Sequence, residues 1–187
     1  MKLIILDRDG VINHDSDHFI KSPYEWHPIP GSIEAIASLN LSGWKVAVAT
    51  NQSGVARGLF DSHTLDLIHQ SMYFHLEKCN AKIDYLVCCQ HGPDDNCNCR
   101  KPRPGMYQQI ALKFDCSLLN VPVVGDSKRD LDAASAVGAQ PILVRTGKGE
   151  RSIAAGGLPS ETIIFADLQE AVKAILASYD DSMVQLR

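Results

Sequence analysis

The sequence predicts a three-layer α/β fold, in which a central parallel sheet is covered by helices on both faces. Two observations indicate this class. Short apolar runs rich in branched residues, typical of buried strands, alternate along the chain with segments of helical period. Polar motifs follow directly after several of these runs. Buried strands separated by helices imply parallel pairing, and the ligands of such sheets bind beyond the carboxyl ends of the strands.

Six segments have the composition of strands, although the last is short. They are residues 3–6, 45–49, 85–89, 121–124, 141–144 and 163–165. Four intervening segments repeat apolar residues at helical spacing, which predicts a helix with one buried face in each. The four faces are formed by Ile33, Ile36, Ala37 and Leu41; by Leu65, Ile68, Met72 and Leu76; by Ile110, Ala111 and Phe114; and by Leu168, Ala171, Val172 and Ile175.

The 187 residues are expected to form a single domain, because no internal repeat or linker divides them. The gaps between the motif-bearing strands hold about one helix and a loop each, so we expect no separate cap domain with its own core. Residues 146–162 contain Gly, Ser and Pro and predict a surface loop. Residues 178–187 predict a frayed C-terminal tail.

Composition narrows the class of partner. The formal net charge is −4, which gives no reason to expect nucleic acid or an anionic membrane as a partner. No apolar run is long enough for a signal peptide or a membrane span, so we expect a cytoplasmic protein. We also expect a monomer, because none of the predicted helices has an obvious exposed apolar face. A small anionic substrate remains compatible, since a local basic cluster can bind it.

Two carboxylates stand at the end of the first predicted strand, in Asp7-Arg8-Asp9-Gly10. Alternation along an extended strand puts Asp7 and Asp9 on one side. One carboxylate can attack phosphorus, and the other can donate a proton to the leaving oxygen and then activate water. Short motifs of this kind also occur by chance in polar turns, so this motif alone leaves both interpretations open.

Three later motifs favour the chemical interpretation. Residues 50–54, Thr-Asn-Gln-Ser-Gly, offer a hydroxyl and backbone N–H groups to phosphate oxygens. Arg100 and Lys101 supply cations for a phosphoryl group. Asp126, after the fourth strand, is suited to Mg²⁺, which prefers oxygen ligands. For the nearby Asp130, a role at a helix N-terminus or behind the metal ligands is favoured over direct ligation.

The cysteines predict a metal site. Cys89-Gln90-His91 is followed by Cys97-Asn98-Cys99, so three thiols and one imidazole fall in residues 89–99. Four such ligands form a closed tetrahedral zinc site of the structural type. This loop leads directly into Arg100 and Lys101, so zinc would position both cations. The remaining cysteines, Cys79, Cys88 and Cys116, lie in apolar segments and are interpreted as core residues.

Taken in chain order, the four phosphate-related motifs resemble those of the haloacid dehalogenase (HAD) phosphohydrolases. The resemblance covers the chain from Leu3 to about Thr146. It implies a Rossmann-like HAD fold with Asp7 as nucleophile and Asp9 as general acid/base. It also implies that Thr50 and Lys101 hold the transferring phosphoryl group. Mg²⁺ would be bound by Asp7, the backbone carbonyl of Asp9, and Asp126.

Together with the cysteine loop, these motifs are similar to the D,D-heptose 1,7-bisphosphate phosphatases and to the related histidinol-phosphate phosphatases. The heptose family removes the C7 phosphate on the route to ADP- or GDP-activated heptose for lipopolysaccharide core. The resemblance implies a small sugar phosphate as partner and a substrate site formed by Asp15, Ser16, Asp17, His18, Asn51, Gln52, Ser53, Arg100 and Ser127. Ser127 departs from family members that carry Lys there.

Several alternatives remain open at this stage. Receiver domains also accept phosphate on an Asp, but they lack a carboxylate two residues later, so Asp9 disfavours them. A zinc-stabilised phosphate-binding module is the second non-enzyme alternative. Among enzymes, histidinol phosphate is the second candidate substrate, and a polynucleotide 3′-phosphate the third. Lys148 could approach the substrate, but its interpretation as a loop lysine is favoured.

Overall fold

In the computed structural model, residues 1–184 of the backbone and residues 1–179 of the side chains are described. Six strands form one parallel sheet: β1 (Leu3–Leu6), β2 (Lys45–Asn51), β3 (Tyr85–Cys89), β4 (Pro122–Gly125), β5 (Gln140–Val144) and β6 (Ile163–Phe165). Their order across the sheet is β3-β2-β1-β4-β5-β6. The first strand is therefore central, with the chain winding outward to one side and then to the other.

Six α-helices connect or follow the strands: α1 (Ser32–Leu41), α2 (Ser62–Lys78), α3 (Gly105–Phe114), α4 (Lys128–Ser135), α5 (Gly149–Ala155) and α6 (Leu168–Val184). A short 3₁₀ turn spans Pro23–Glu25. The four predicted helical faces lie in α1, α2, α3 and α6. None of the helices within residues 1–184 is long and apolar enough to cross a membrane.

The side chains of β1 show why the fold has three layers. Ile4 and Leu6 are completely buried against a cluster that includes the apolar faces of α1, α2 and α6. Leu3 and Ile5 point the other way, into a second cluster with α3 and α4. Alternate residues of the strand thus enter different cores, which explains its uninterrupted apolar sequence. The predicted three-layer α/β class is confirmed.

Three segments differ from the sequence prediction by more than one residue. β2 continues to Asn51, because Thr50 and Asn51 pair with the last residues of β3. Residues 149–155 form the short helix α5, whereas the sequence predicted a loop throughout 146–162. α6 extends to Val184, whereas the sequence predicted a frayed tail from residue 178. The last three residues of that predicted tail, 185–187, lie outside the described residues.

The strand register places the polar motifs at one edge of the sheet. Leu6 is in register with Val48 of β2 and with Val124 of β4. The backbone N–H of Asp7 then donates to the carbonyl of Val124 at 2.9 Å. The residues that follow β1, β2 and β4 therefore meet above the carboxyl ends of three neighbouring strands.

Candidate active site

A cleft of about 260 Å³ opens at this edge of the sheet. Nearly all of the predicted site residues outside the cysteine loop line it: Asp7, Asp9, Asp15, Ser16, Asp17, Thr50, Asn51, Gln52, Ser53, Arg100, Lys101, Asp126 and Ser127. Six further residues complete the wall: Phe19, Ile20, Arg57, Arg129, Asp130 and Lys148. Of the predicted substrate residues, only His18 lies outside this lining.

The buried Lys101 is held at the base of the cleft by three oxygen atoms. Its Nζ lies 3.0 Å from Asp7 Oδ1 and 2.5 Å from Asp130 Oδ1, and it donates to the carbonyl of Ala49 at 2.7 Å. Burial alone would lower the pKa of this lysine, but the charges of Asp130 and Asp7 raise it above its ordinary value. Lys101 is therefore a permanent cation beside Asp7.

Asp130 is fixed by the start of α4. Its Oδ2 accepts from the backbone N–H of Ser127 at 3.1 Å and from the Ser127 hydroxyl, forming a capping box. Burial would raise the pKa of Asp130, but the ammonium of Lys101 holds it below its usual range. The predicted role for Asp130, at the helix N-terminus and behind the first carboxylates, agrees with this geometry.

Asp7, Asp126 and Asp130 form a crowded acidic cluster, with one oxygen from each within 4.8 Å of the others. Burial and neighbouring carboxylates raise the pKa of Asp7 to about 6 and that of Asp126 to about 8. Three carboxylates this close repel one another when ionised, so a cation among them lowers their energy. The donor set fits Mg²⁺, with Asp7 and Asp126 as the carboxylates facing the cleft.

Two glycines make room for Asp126. A Cβ atom on Gly10 or on Gly147 would collide with the Asp126 carboxylate, and both residues have positive φ, 83° and 58°. The backbone N–H of Lys148 donates to Asp126 Oδ2 at 2.8 Å. The chain thus wraps closely around this carboxylate and fixes its direction toward the cleft.

The Asp9 carboxylate is surrounded by hydrogen-bond donors. Arg8 donates from Nε to Oδ1 at 3.0 Å and from Nη2 to Oδ2 at 2.9 Å. Asn13 Nδ2 donates to Oδ1 at 2.8 Å, and Gln52 Nε2 donates to Oδ2 at 2.9 Å. Burial would raise the pKa of Asp9, but the Arg8 guanidinium and the two amides hold it below its usual range.

The segment after β2 couples two of the predicted motifs. Asn51 exchanges two hydrogen bonds with the backbone of Lys101, from Nδ2 to the carbonyl and from the N–H to Oδ1, both at 3.1 Å. Gln52 also donates to the buried Thr50 Oγ1 at 2.8 Å. Thr50 and Lys101 are predicted to hold one phosphoryl group. They are therefore connected through the side-chain amides of Asn51 and Gln52.

The four predicted zinc ligands lie together at the end of β3. Their ligand atoms are separated by 3.2 Å (Cys89–Cys99), 3.3 Å (His91–Cys99), 3.6 Å (Cys89–His91) and 3.7 Å (Cys89–Cys97). A tetrahedral zinc with Zn–S of about 2.3 Å places sulfur atoms about 3.8 Å apart, so the cluster fits this ion. Burial raises the pKa of Cys89 to about 12, which a bound cation would offset.

The cysteine cluster is connected to the cations of the cleft. Arg100 Nη1 donates to the carbonyl of His91 at 3.2 Å, and Arg103 Nη1 donates to that of Cys97 at 2.6 Å. The backbone N–H of Gly105 donates to the carbonyl of Asn98 at 3.1 Å. The segment that carries Lys101 is thus fastened to the cysteine loop at several points.

The loop that follows β1 forms another wall, fastened to α5 by two ion pairs. Lys148 Nζ lies 2.6 Å from Asp15 Oδ2, and Arg151 pairs with both oxygens of Asp17 at 2.9 and 2.8 Å. Lys148 therefore supports the wall of the site, whereas the sequence interpretation treated it as an ordinary loop lysine.

The backbone of this loop places His18 away from the predicted substrate site. The N–H of His18 donates to the Ser16 hydroxyl at 3.1 Å, which turns the chain so that the exposed His18 lies outside the cleft lining. Phe19 follows with a positive φ of 65°, and its ring lines the cleft instead, with the Arg57 guanidinium 5.8 Å from its centre.

Arg57 and Arg129 are cleft residues that the sequence analysis missed. Arg57 follows the motif at residues 50–54, and Arg129 lies in the first turn of α4, after Asp126. A search for cations that flank each motif would have found both. Arg8 was seen only as the residue between two carboxylates. Its complete burial could not be predicted, because arginine is rarely buried.

Two family models match the chain. The model described as HAD-hydrolase-like matches residues 98–171, and the model described as polynucleotide kinase 3 phosphatase matches residues 2–130. The second match covers the segment that contains Asp7, Thr50, Lys101 and Asp126.

Relatives named as heptose bisphosphate phosphatases match over almost their whole length. The D-glycero-beta-D-manno-heptose-1,7-bisphosphate 7-phosphatase of Bordetella bronchiseptica is 54% identical over 94% of this chain and 98% of its own. The enzyme of the same name from Pseudomonas putida is 53% identical over 94% of this chain and 100% of its own.

Solved structures agree with these relatives. The D,D-heptose 1,7-bisphosphate phosphatase of B. bronchiseptica, complexed with magnesium and phosphate, superposes with a TM-score of 0.94 at 53% identity, covering 95% of this chain and 99% of that chain. The corresponding enzyme of Burkholderia thailandensis has a TM-score of 0.76 at 44% identity, covering 94% and 99% of the two chains.

Proposed function

The chain belongs to the family of D-glycero-beta-D-manno-heptose-1,7-bisphosphate 7-phosphatases, and on that premise we propose that it hydrolyses the C7 phosphate of this beta-anomeric heptose bisphosphate. It is a phosphoric monoester hydrolase of the HAD-like class. The observation that carries the proposal is the meeting of Asp7, Asp9, Thr50 and Lys101 in one cleft beside the acidic cluster.

In the first step, a carboxylate oxygen of Asp7 attacks phosphorus. The bond between phosphorus and the C7 oxygen breaks, its electron pair stays on that oxygen, and a proton from Asp9 neutralises it. Asp9 must carry this proton in the substrate complex, where the negative charge of the bound phosphate opposes the effect of Arg8 on its pKa. Lys101 and Thr50 hold the phosphoryl oxygens through this step. The product is heptose 1-phosphate, with the phosphoryl group covalently bound to Asp7.

In the second step, water hydrolyses the phospho-aspartyl intermediate. Asp9, now ionised, takes a proton from the water as its oxygen attacks phosphorus. The bond between phosphorus and Asp7 breaks, which restores the Asp7 carboxylate and frees inorganic phosphate. One carboxylate thus serves as acid and then as base.

We propose Mg²⁺ and Zn²⁺ as the cofactors. Asp7, the backbone carbonyl of Asp9, and Asp126 would hold Mg²⁺, which supplies charge that offsets the repulsion between the carboxylates and the phosphate dianion. Zn²⁺ would be held by Cys89, His91, Cys97 and Cys99. With four protein ligands it has a structural role and holds the segment that carries Arg100 and Lys101.

Three arginines support a substrate with a second phosphate. Arg57, Arg100 and Arg129 line the cleft, and among the described side chains none of them forms an ion pair. Burial lowers the pKa of Arg100 below its ordinary value, and the charges of Arg129 and Arg57 lower it further. A phosphate dianion at C1 would relieve this repulsion. Histidinol phosphate has no second anionic group.

On the basis of its family, we propose that this reaction lies on the route to nucleotide-activated heptose for lipopolysaccharide core. That route consumes nucleoside triphosphates, which supports a cytoplasmic enzyme. We propose a monomer, because the described chain supplies every catalytic residue of the cleft.

The test is phosphate release, with magnesium, from both anomers of heptose 1,7-bisphosphate, from histidinol phosphate and from a 3′-phosphorylated oligonucleotide. The Asp7→Asn protein serves as the blank. We expect the beta anomer to give the highest kcat/KM. A higher kcat/KM for histidinol phosphate or for the oligonucleotide would overturn the proposed substrate, and equal turnover by Asp7→Asn would overturn the proposed nucleophile.

A further inference from the structure

The hydrogen bonds to Asp9 leave its carboxylate no freedom to rotate. Four donors engage the two oxygens of this carboxylate, so one of the neutral amides gives up its bond whenever Asp9 carries a proton or accepts one from water. Each oxygen accepts once from Arg8 and once from a neutral amide, Asn13 on Oδ1 and Gln52 on Oδ2. The side chain of Asp9 is still 20% exposed, so it faces the cleft while it is held from behind.

Arg8 differs from the two amides in burial and in geometry. Its side chain is 0% exposed, and its planar fork contacts both oxygens of the carboxylate. Among the described side chains, Asp9 is the one carboxylate within ion-pair distance of Arg8. Two parallel bonds fix the plane of a carboxylate, which a lysine ammonium cannot do.

The buried imidazole nearest to Arg8 on α2 adds no competing positive charge. The buried His69 of α2 has its pKa lowered to about 4, first by burial and then by the charge of Arg8. It is therefore a neutral imidazole at physiological pH. The guanidinium is left with Asp9 as its counter-ion.

Stability alone does not account for this ion pair. Removing two charges from water costs about as much as their attraction returns, and apolar replacements of buried pairs are often neutral or stabilising. The bidentate guanidinium of Arg8, which lies between the two reacting carboxylates in the sequence, has a chemical role instead. The leaving oxygen and the attacking water occupy the same side of phosphorus, opposite Asp7, so one fixed carboxylate can serve both steps.

We propose that Arg8 is a positioning residue, which holds the plane of the Asp9 carboxylate so that the same oxygen reaches the leaving group and then the attacking water. The inference rests on the proposed function, because it assigns a role within the same two-step reaction.

The experiment compares Arg8→Lys with the wild type on two substrates. Heptose bisphosphate has an alkoxide leaving group that needs a proton, whereas p-nitrophenyl phosphate has a leaving group that departs without one. Arg8→Lys keeps the positive charge but cannot form the two parallel hydrogen bonds to Asp9. On heptose bisphosphate we expect kcat to fall about 100-fold, the range of general acid–base effects, with KM changed less than about twofold.

With p-nitrophenyl phosphate, formation and hydrolysis of the phospho-aspartyl intermediate can be measured separately. The first step needs no acid, but hydrolysis of the intermediate still needs Asp9 as base. Stopped-flow measurement of Arg8→Lys should therefore show a burst of about one nitrophenolate per active site, followed by slow turnover. A purely structural role would slow both phases or reduce the burst amplitude, and either of these results, or wild-type kinetics, would overturn the inference.

Two controls keep the outcomes distinct. Arg145→Lys changes a surface arginine that pairs with Glu150, and it should behave as the wild type. Arg8→Met removes the positive charge as well as the two hydrogen bonds. If this variant does not fold, the result for Arg8→Lys alone tests the positioning role. Wild-type protein that hydrolyses p-nitrophenyl phosphate but no heptose bisphosphate would refute the proposed substrate and leave the burst test of Arg8 intact.

Discussion

Lys101 approaches Asp130 more closely than it approaches Asp7, with Nζ–Oδ1 distances of 2.5 and 3.0 Å. The lysine is thus anchored by a carboxylate that lies behind the nucleophile, at the first turn of α4. Such anchoring keeps the cation near the phosphoryl oxygens without neutralising Asp7, whose pKa stays raised to about 6 by burial. α4 therefore sets the position of a side chain that comes from the cysteine loop.

Replacing Asp130 by Asn should lower kcat about 10- to 100-fold, the usual effect of removing a group that orients a catalytic residue. Without this charge, Lys101 would pair with Asp7 alone and weaken it as a nucleophile. The amide oxygen of Asn can still accept from Ser127, so α4 should keep its cap. Asp132→Asn, a half-buried position in the same helix that pairs with Lys128, is the matched control. Steady-state kinetics measure kcat for both variants. Equal kcat values for Asp130→Asn and Asp132→Asn would contradict the anchoring role.

The stability of magnesium-free protein should fall as pH rises from 6 to 8.5. Asp126 and Asp7 have pKa values raised to about 8 and about 6, above their values in the unfolded chain, so folding takes up protons in this range. The loss should be on the order of 2 kcal/mol. Thermal unfolding of protein dialysed into magnesium-free buffer, with zinc retained, measures it.

Magnesium should remove most of that slope and restore turnover, because its charge replaces the bound protons. The Asp126→Asn variant should show a flatter slope even without magnesium, since its amide does not titrate. An equally steep slope in Asp126→Asn would show that the pH dependence arises elsewhere in the chain.

Replacing Cys99 by Ser should release zinc and lower kcat/KM together. Arg100 and Lys101 follow Cys99 directly, and both lose a fixed backbone when the loop opens. Cys88→Ser is the control, because Cys88 adjoins Cys89 but lies outside the metal-binding cluster. We expect zinc content, measured by atomic absorption, to drop from about one per chain only in Cys99→Ser. A zinc-free Cys99→Ser protein with normal kcat/KM would show that the loop is not needed to place Lys101.

Replacing Arg129 by Ala should raise KM for heptose bisphosphate roughly tenfold, the effect of losing one hydrogen bond to a charged group. It should leave KM for p-nitrophenyl phosphate unchanged, because that substrate has one phosphate. Lys128→Ala, a neighbouring cation that pairs with Asp132, is the control. Parallel increases in KM for both substrates would place Arg129 at the transferred phosphate instead of at C1.

The parts of this protein that could be predicted from sequence are those with a strict local pattern. β1 and the Asp7–Asp9 pair were found because an apolar strand ends at two carboxylates, and the cysteine cluster because its four ligands lie within residues 89–99. His18, which was predicted to lie at the substrate entrance, is outside the cleft lining, because a hydrogen bond to Ser16 and the positive φ of Phe19 turn the loop. Neither feature has a clear signal in the sequence.

Long-range ion pairs were also beyond prediction. Lys148 contacts Asp15, and Arg151 contacts Asp17, across more than a hundred residues of chain. α5, which carries Arg151, is a short helix with only one buried residue, Gly149, so it lacks the apolar periodicity that reveals helices. Sequence patterns report local structure and burial, whereas these contacts depend on the tertiary arrangement.

The central position of β1 has a consequence for how the protein is made. Asp7 is synthesised well before Asp126, Asp130 and Lys148, and the cleft needs all four residues. β1 gains one neighbour when β2 emerges and the other only when β4 does. Until β4 emerges, a nascent chain therefore carries an apolar strand with an unpaired edge and an incomplete catalytic centre. Hydrolytic activity requires that the chain has been synthesised and folded at least as far as Lys148.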